Sequence, residues 1–132
     1  MTQELRCRMM TEKDIGLVIP LYIEHYNTYE EGEWTWETTY KRIHQVWSRE
    51  DSMCMILEQD QGIIGFVMGY FEQYDDIQAY DLVEIVIAHG HQGKGIGTWF
   101  MERIEDKVRE LGALPSSSRP LMMIFIITST VS

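Results

Sequence analysis

The sequence predicts an α/β (α+β) domain: a central mixed, mostly antiparallel sheet flanked by helices. One observation is the run Leu82-Val83-Glu84-Ile85-Val86-Ile87, rich in β-branched residues, which reads as a buried strand. After a glycine-rich loop, Ile96, Trp99, Phe100, Ile104, Val108 and Leu111 recur at helical spacing until Gly112, a residue suited to end a helix. A second observation is a succession of three strand-like segments joined by short polar turns. The third is size: 132 residues with a hydrophobic fraction of 45% make one domain with one real core.

The elements follow in order. Residues 4–10 form a first strand with Leu5, Cys7 and Met9 on one face. Thr11 is placed to cap a helix, with Asp14 in the box position three residues on. Ile15, Val18, Leu21, Tyr22 and Tyr26 repeat at helical spacing, and Pro20 predicts a kink or break within that helix. Thr35 caps a second helix over residues 36–49, with Tyr40, Ile43, Val46 and Trp47 as its inner face. Its Lys41, Arg42 and Arg49 offset part of the acid upstream.

Strands follow at residues 53–58, 63–71 and 79–87, the first two joined by Gln59-Asp60-Gln61-Gly62. Gly65 and Gly69 mark bulges or close approaches of backbone in the middle strand. The three make an antiparallel meander whose last strand delivers the chain into the glycine loop. Beyond Gly112, residues 115–120 read as a loop and residues 121–128 as one more strand.

Composition narrows the function. A net charge of -10 argues against nucleic acid and anionic membranes as partners, and suits either a cationic small molecule or simple solubility. Cys7 and Cys54 stand far apart, without a C-x-x-C pair or a secretory signal, which predicts two free thiols in a cytoplasmic protein. No apolar run reaches the length of a membrane span; the longest, near residues 121–127, is far too short.

Between Ile15 and Tyr40 the chain carries Glu24, Glu30, Glu31, Glu33 and Glu37 but no Lys or Arg, interleaved with Tyr22, Tyr26, Tyr29, Trp34, Trp36 and Tyr40. Acids with aromatics are the chemistry that holds an ammonium group. The same composition also describes core aromatics beside a solvated acidic loop, and both readings stand.

The loop His89-Gly90-His91-Gln92-Gly93-Lys94-Gly95-Ile96-Gly97-Thr98 joins a strand end to a helix start. Its glycines permit positive φ and close approach of a ligand to the main chain. Helix-start N–H groups and Lys94 favour an anion, most simply a phosphate or pyrophosphate. The P-loop pattern fails because Gly95 follows Lys94, and the dinucleotide pattern fails because Thr98 or Phe100 occupies its last glycine position. A nucleotide-phosphate binder is weakened accordingly. His89 and His91 have no third ligand at matched spacing, so no metal site is expected and they read as surface loop histidines. No triad-like neighbourhood surrounds the Ser and Cys residues, so covalent catalysis has no support.

What stands in the loop is Q-x-x-G-x-G, as Gln92-Gly93-Lys94-Gly95-Ile96-Gly97, which resembles the acetyl-CoA pyrophosphate loop of the GNAT superfamily of N-acetyltransferases. The order strand, helix, helix, three strands, helix over residues 4–112 is similar to that family's as well. The resemblance implies acetyl-CoA as co-substrate, with Gln92, Gly93, Lys94, Gly95, Ile96, Gly97 and Thr98 around its pyrophosphate and the backbone of Ile85 and Ile87 beside its pantetheine arm. It implies a primary amine acceptor, of a small molecule or a protein, attacking the thioester directly. Tyr26, Tyr29, Glu30 and Glu33 fall in the segment that shapes the acceptor pocket. Glu84, on the strand entering the loop, falls where many members place a carboxylate that takes the amine's proton. Among Val83, Ile85 and Val86 it is expected to be partly desolvated, which would raise its pKa.

The C-terminus departs from the pattern. A full GNAT domain continues with a helix carrying an Asn and a Tyr near the CoA thiol, and then two more strands. The expectation is that the C-terminal helix and last strands are missing and that no general acid for the leaving thiolate is present. The hydrophobic last strand would present an edge that invites a homodimer. The alternative function is an inactive CoA-binding or protein-interaction module derived from a GNAT domain.

Overall fold

In the computed structural model, residues 4–60, 62–75, 78–91, 93, 95–112 and 122–125 are described. The chain runs β1 (Arg6–Met9), α1 (Glu12–Ile23), a π-helical turn (Glu24–Thr28), α2 (Trp36–Trp47), β2 (Met55–Gln59), β3 (Gly62–Gln73) and β4 (Gln78–Ile87). A 3-10 turn (His89–His91), α3 (Ile96–Gly112) and β5 (Met122–Phe125) follow. The sheet order is β1-β2-β3-β4-β5; the first four strands are antiparallel and β5 runs parallel to β4. The mixed, mostly antiparallel sheet with flanking helices is therefore the observed fold. The residues expected to form the loop at 115–120 lie outside the described residues.

Alternation along the strands divides the core in two. On one face Met55, Leu57, Val67, Leu82, Ile85 and Ile87 pack against Ile96, Phe100, Ile104 and Val108 of α3. On the other face Ile56, Phe66, Met68 and Val86 pack against Ile15, Val18, Ile19 and Tyr22 of α1 and Ile43 and Val46 of α2. Each such aliphatic or aromatic side chain contributes about 1.5–3 kcal/mol by leaving water.

Strict alternation would place Glu84 on the α3 face with Tyr80 and Leu82. It does not, because the β3–β4 register shifts: Glu84 lies opposite Met68, while Leu82 lies opposite Gly69. Val83 is thus an extra residue, a β-bulge that reverses which side the following residues face. Glu84 turns to the α1–α2 face, and Ile85 and Ile87 turn to α3. Gly69 is required there, since a Cβ on it would press into the Asp81 carbonyl and the Tyr80 ring. Gly65 also takes a close approach, where a Cβ would stand 2.8 Å from the Val86 carbonyl oxygen. Both glycines mark the features expected of them.

Four local expectations need correction. The helix continues through Pro20, which sits on the solvent side, so only one backbone bond is forfeited; the change of pitch comes at Glu24–Thr28 instead. Met9 is 40% exposed, since β1 is an edge strand whose inward residues are Leu5 and Cys7. Tyr40 points outward and stacks on His44, and Thr39 takes the inner position beside Ile43 and Val46. Leu111 is exposed, lying in the last turn of α3 beyond the buried stripe that ends at Val108. The capping residues stand as read: Asp14 Oδ2 accepts from the Thr11 N–H at 2.7 Å, and Thr35 Oγ1 accepts from the Thr38 N–H at 3.1 Å.

Candidate active site

Two features flank the C-terminal half of β4: a buried polar cluster centred on Glu84 and the glycine loop leading into α3. Tyr22 and Tyr26 lie four residues apart on a helix, so they share one face. That face meets β4 where the bulge presents Glu84. Tyr22 Oη donates to Glu84 at 3.2 Å from Oε1 and 3.1 Å from Oε2, and Tyr26 Oη donates to Oε2 at 2.5 Å. From α2, Arg42 Nε donates to Oε1 at 3.1 Å. Glu84 is only 2% exposed, so its charge has been taken from water and answered by one guanidinium and two phenols. The Tyr22 phenol is pushed above its ordinary pKa, first by burial and then by the charge of Glu84, which keeps it a donor.

The aromatic rings fix these groups. Tyr26 lies 4.7 Å from Tyr22, Trp34 meets Tyr22 edge-on at 5.1 Å, and His25 meets Tyr26 edge-on at 4.8 Å. Trp34 is itself held by Asn27, whose side chain bonds both its N–H and its carbonyl. Part of the aromatic set is therefore core, and part surrounds a charged group.

His89 departs from the expectation of a surface loop residue. Its Nε2 stands 3.3 Å from His25 Nδ1, and its ring stacks on Tyr29 with centroids 3.5 Å apart. Burial, then the facing imidazole, holds the His25 pKa below its ordinary value. Among the described residues no group of three or more His, Cys, Asp or Glu is placed to hold a metal ion.

At the loop, Gly93 and Gly95 adopt φ of 77° and 76°, the left-handed region that favours glycine. Among the described residues a Cβ at Gly90, Gly93 or Gly95 would meet nothing within 4 Å, so they leave the space in front of the main chain open. Ile96, Gly97 and Thr98 open α3, whose first-turn N–H groups have no acceptor within the helix. Such a loop fits a pyrophosphate. Gln92 and Lys94, also assigned to this ligand, lie outside the described residues.

Tyr26 is thus brought to Glu84, and Tyr29 to His89. Glu30 and Glu33 lie exposed beyond the π-helical turn. Ile85 and Ile87 point their side chains at α3, and they sit opposite Val67 and Gly65 of β3. Sequence reasoning did not assign Arg42 or Tyr22 to the site. The available signal was positional: Arg42 precedes the inward Ile43 by one residue, and Tyr22 shares a helical face with Tyr26.

The fold and site define an α/β domain in which a strand with a buried carboxylate feeds an open glycine loop at a helix start. The sequence profile of the Acetyltransferase (GNAT) family matches residues 19–117, and the chain belongs to that family. No curated protein sequence matches it. Its fold is similar to a GNAT family acetyltransferase of Staphylococcus aureus, at 15% identity and a TM-score of 0.73, covering 96% of this chain and 87% of that one. It is also similar to the ribosomal-protein-alanine N-acetyltransferase of Brucella melitensis biovar Abortus, at 16% identity and 0.68, covering 92% and 79%. A predicted acetyltransferase of Clostridium acetobutylicum solved with acetyl-CoA matches at 14% identity and a TM-score of 0.64, covering 93% of this chain and 80% of that one. No helix among the described residues is long and apolar enough to cross a membrane.

Proposed function

We propose that this chain transfers the acetyl group of acetyl-CoA to a primary amine of a small molecule or protein, by direct attack and without a covalent enzyme intermediate. The observation that carries the reading is Glu84: a buried, hydrogen-bonded carboxylate on the strand that runs into the glycine loop. Acetyl-CoA, when bound, supplies an activated acetyl thioester. Gly93, Gly95, Ile96, Gly97 and Thr98, with Gln92 and Lys94, hold its pyrophosphate through main-chain N–H groups and the helix dipole. Ile85 and Ile87 border its arm along β4. Glu84 receives the proton that the acceptor must lose before its nitrogen can attack. Tyr29, Glu30 and Glu33 border the path of the incoming ammonium.

The test is calorimetric titration with acetyl-CoA of the wild type and of Gly95→Trp, followed by thiol release with spermidine, lysine and a peptide beginning with alanine. Saturable binding lost in Gly95→Trp, with thiol released in the presence of an amine, is the expected result. Binding without release would overturn the catalytic reading in favour of a CoA-binding module. No binding by folded protein would overturn the cofactor assignment itself.

A further inference from the structure

We propose that Tyr26 is the group that touches the acceptor amine and that it relays the amine's proton to Glu84; this rests on the acetyltransferase reading above. A general base must come within hydrogen-bond reach of the nitrogen it serves. The Glu84 side chain is 3% exposed, and its described partners are Tyr22, Tyr26 and Arg42. Tyr22 is as buried as Glu84. Arg42 reaches the surface, but a guanidinium is a donor only and repels an ammonium. Tyr26 alone of the three is partly exposed and carries an oxygen able to accept a proton.

The bonding divides the carboxylate accordingly. Arg42 anchors Oε1, Tyr22 bridges both oxygens, and the shortest contact, 2.5 Å, runs from Tyr26 Oη to Oε2. In the relay an N–H bond of the acceptor ammonium breaks as its proton passes to Tyr26 Oη. The Tyr26 O–H bond breaks as its own proton passes to Glu84 Oε2. Two O–H bonds form in exchange. Tyr26 ends as it began, the carboxylate becomes a carboxylic acid, and the amine keeps the electron pair with which it attacks. Arg42 is a positioning residue in this scheme, because it fixes the other oxygen and leaves Oε2 toward the phenol.

The experiment is the pH profile of kcat and kcat/KM for wild type, Tyr26→Phe, Tyr22→Phe and Glu84→Gln, with whichever of spermidine, lysine or the alanine peptide reacts fastest. Tyr26→Phe keeps the ring packing but removes a hydrogen bond to a buried carboxylate, so it should fold with a lowered melting temperature, as Tyr22→Phe should too. It is expected to lose roughly a hundredfold in kcat at neutral pH, as loss of a general base does. It should recover as pH rises toward the amine's own pKa. Glu84→Gln should show the same alkaline shift, and the double variant should be no worse than Glu84→Gln alone. Tyr22→Phe removes a comparable hydrogen bond outside the route, so its profile should keep its shape. A Tyr26→Phe enzyme within about twofold of wild type, or one lowered equally at every pH, overturns the relay and leaves the acetyltransferase reading intact. A wild type that releases no thiol with any of the three amines overturns that reading, and the relay with it.

Discussion

The two faces of the sheet are built from different chemistry. Against α3 packs a cluster of aliphatic and aromatic residues, in which Tyr80 donates to the Met53 carbonyl at 2.8 Å. Against α1 and α2 the same sheet buries Asp14, Thr39 and Glu84 among its apolar side chains, and His25 lies in the turn that extends α1. One face provides stability that tolerates no polar debt. The other accepts the cost of desolvated charge where that charge is met: Asp14 by Arg8 at 2.7 Å, Glu84 by Arg42. The bulge at Val83 decides to which face Glu84 belongs.

Substitutions on either side should separate these roles. Glu84→Gln should cost the most, roughly a hundred- to ten-thousandfold in acetyl transfer measured by thiol release, while acetyl-CoA affinity by calorimetry stays near wild type. Phe100→Ala, on the α3 face, should lower unfolding free energy by about 3–5 kcal/mol in urea titration, since it empties the space of a fully buried ring. If Phe100→Ala instead lowered kcat at unchanged stability, the division between the faces would fail.

Gly69→Ala should cost about 1–3 kcal/mol and lower activity as well, because relieving the clash with Asp81 and Tyr80 must move the strand that presents Glu84. Equal loss of both, in melts and in thiol release, would tie the bulge to the site.

The smallest effect concerns Asp81, on β4 opposite Tyr70. Burial, then the hydrogen bond and charge of Glu72, pushes its carboxyl up to about 6 from 3.8. A raised folded pKa contributes stability fully present below the unfolded value and lost as pH rises through the folded one. Melts should therefore show wild type losing this contribution between pH about 4 and about 6, and Asp81→Asn showing a flatter profile in that window.

Much of this was legible from residue order. The interior stripe Ile96, Phe100, Ile104 and Val108 has a period only a helix satisfies, and Thr11 and Thr35 carry their caps within four residues. Gly65 and Gly69 announced close approaches because glycine inside a strand is otherwise a loss. Other features were hidden for physical reasons. The strand around Val83 is apolar on both faces, so one inserted residue leaves its hydrophobic pattern unchanged and the parity of Glu84 unreadable. The ion pair between Arg42 and Glu84 spans 42 residues, a distance at which no local spacing rule operates. The helix through Pro20 misled because the proline falls on the solvent side, which depends on helix phase rather than on the presence of proline.

The extra residue at Val83 has an implication for how such a chain can change over generations. Straightening the bulge with every residue kept would restore strict alternation and deliver Glu84 into the aliphatic face, away from Arg42 and Tyr26, although the strand's hydrophobicity would not change. An unanswered carboxylate there is expensive enough to compete with the stability of the whole domain. A change that straightens the strand at this point would thus be removed by selection for folding first. The buried cluster around Glu84 is inherited as part of the fold, while the exposed acids Glu30 and Glu33 are at liberty to drift.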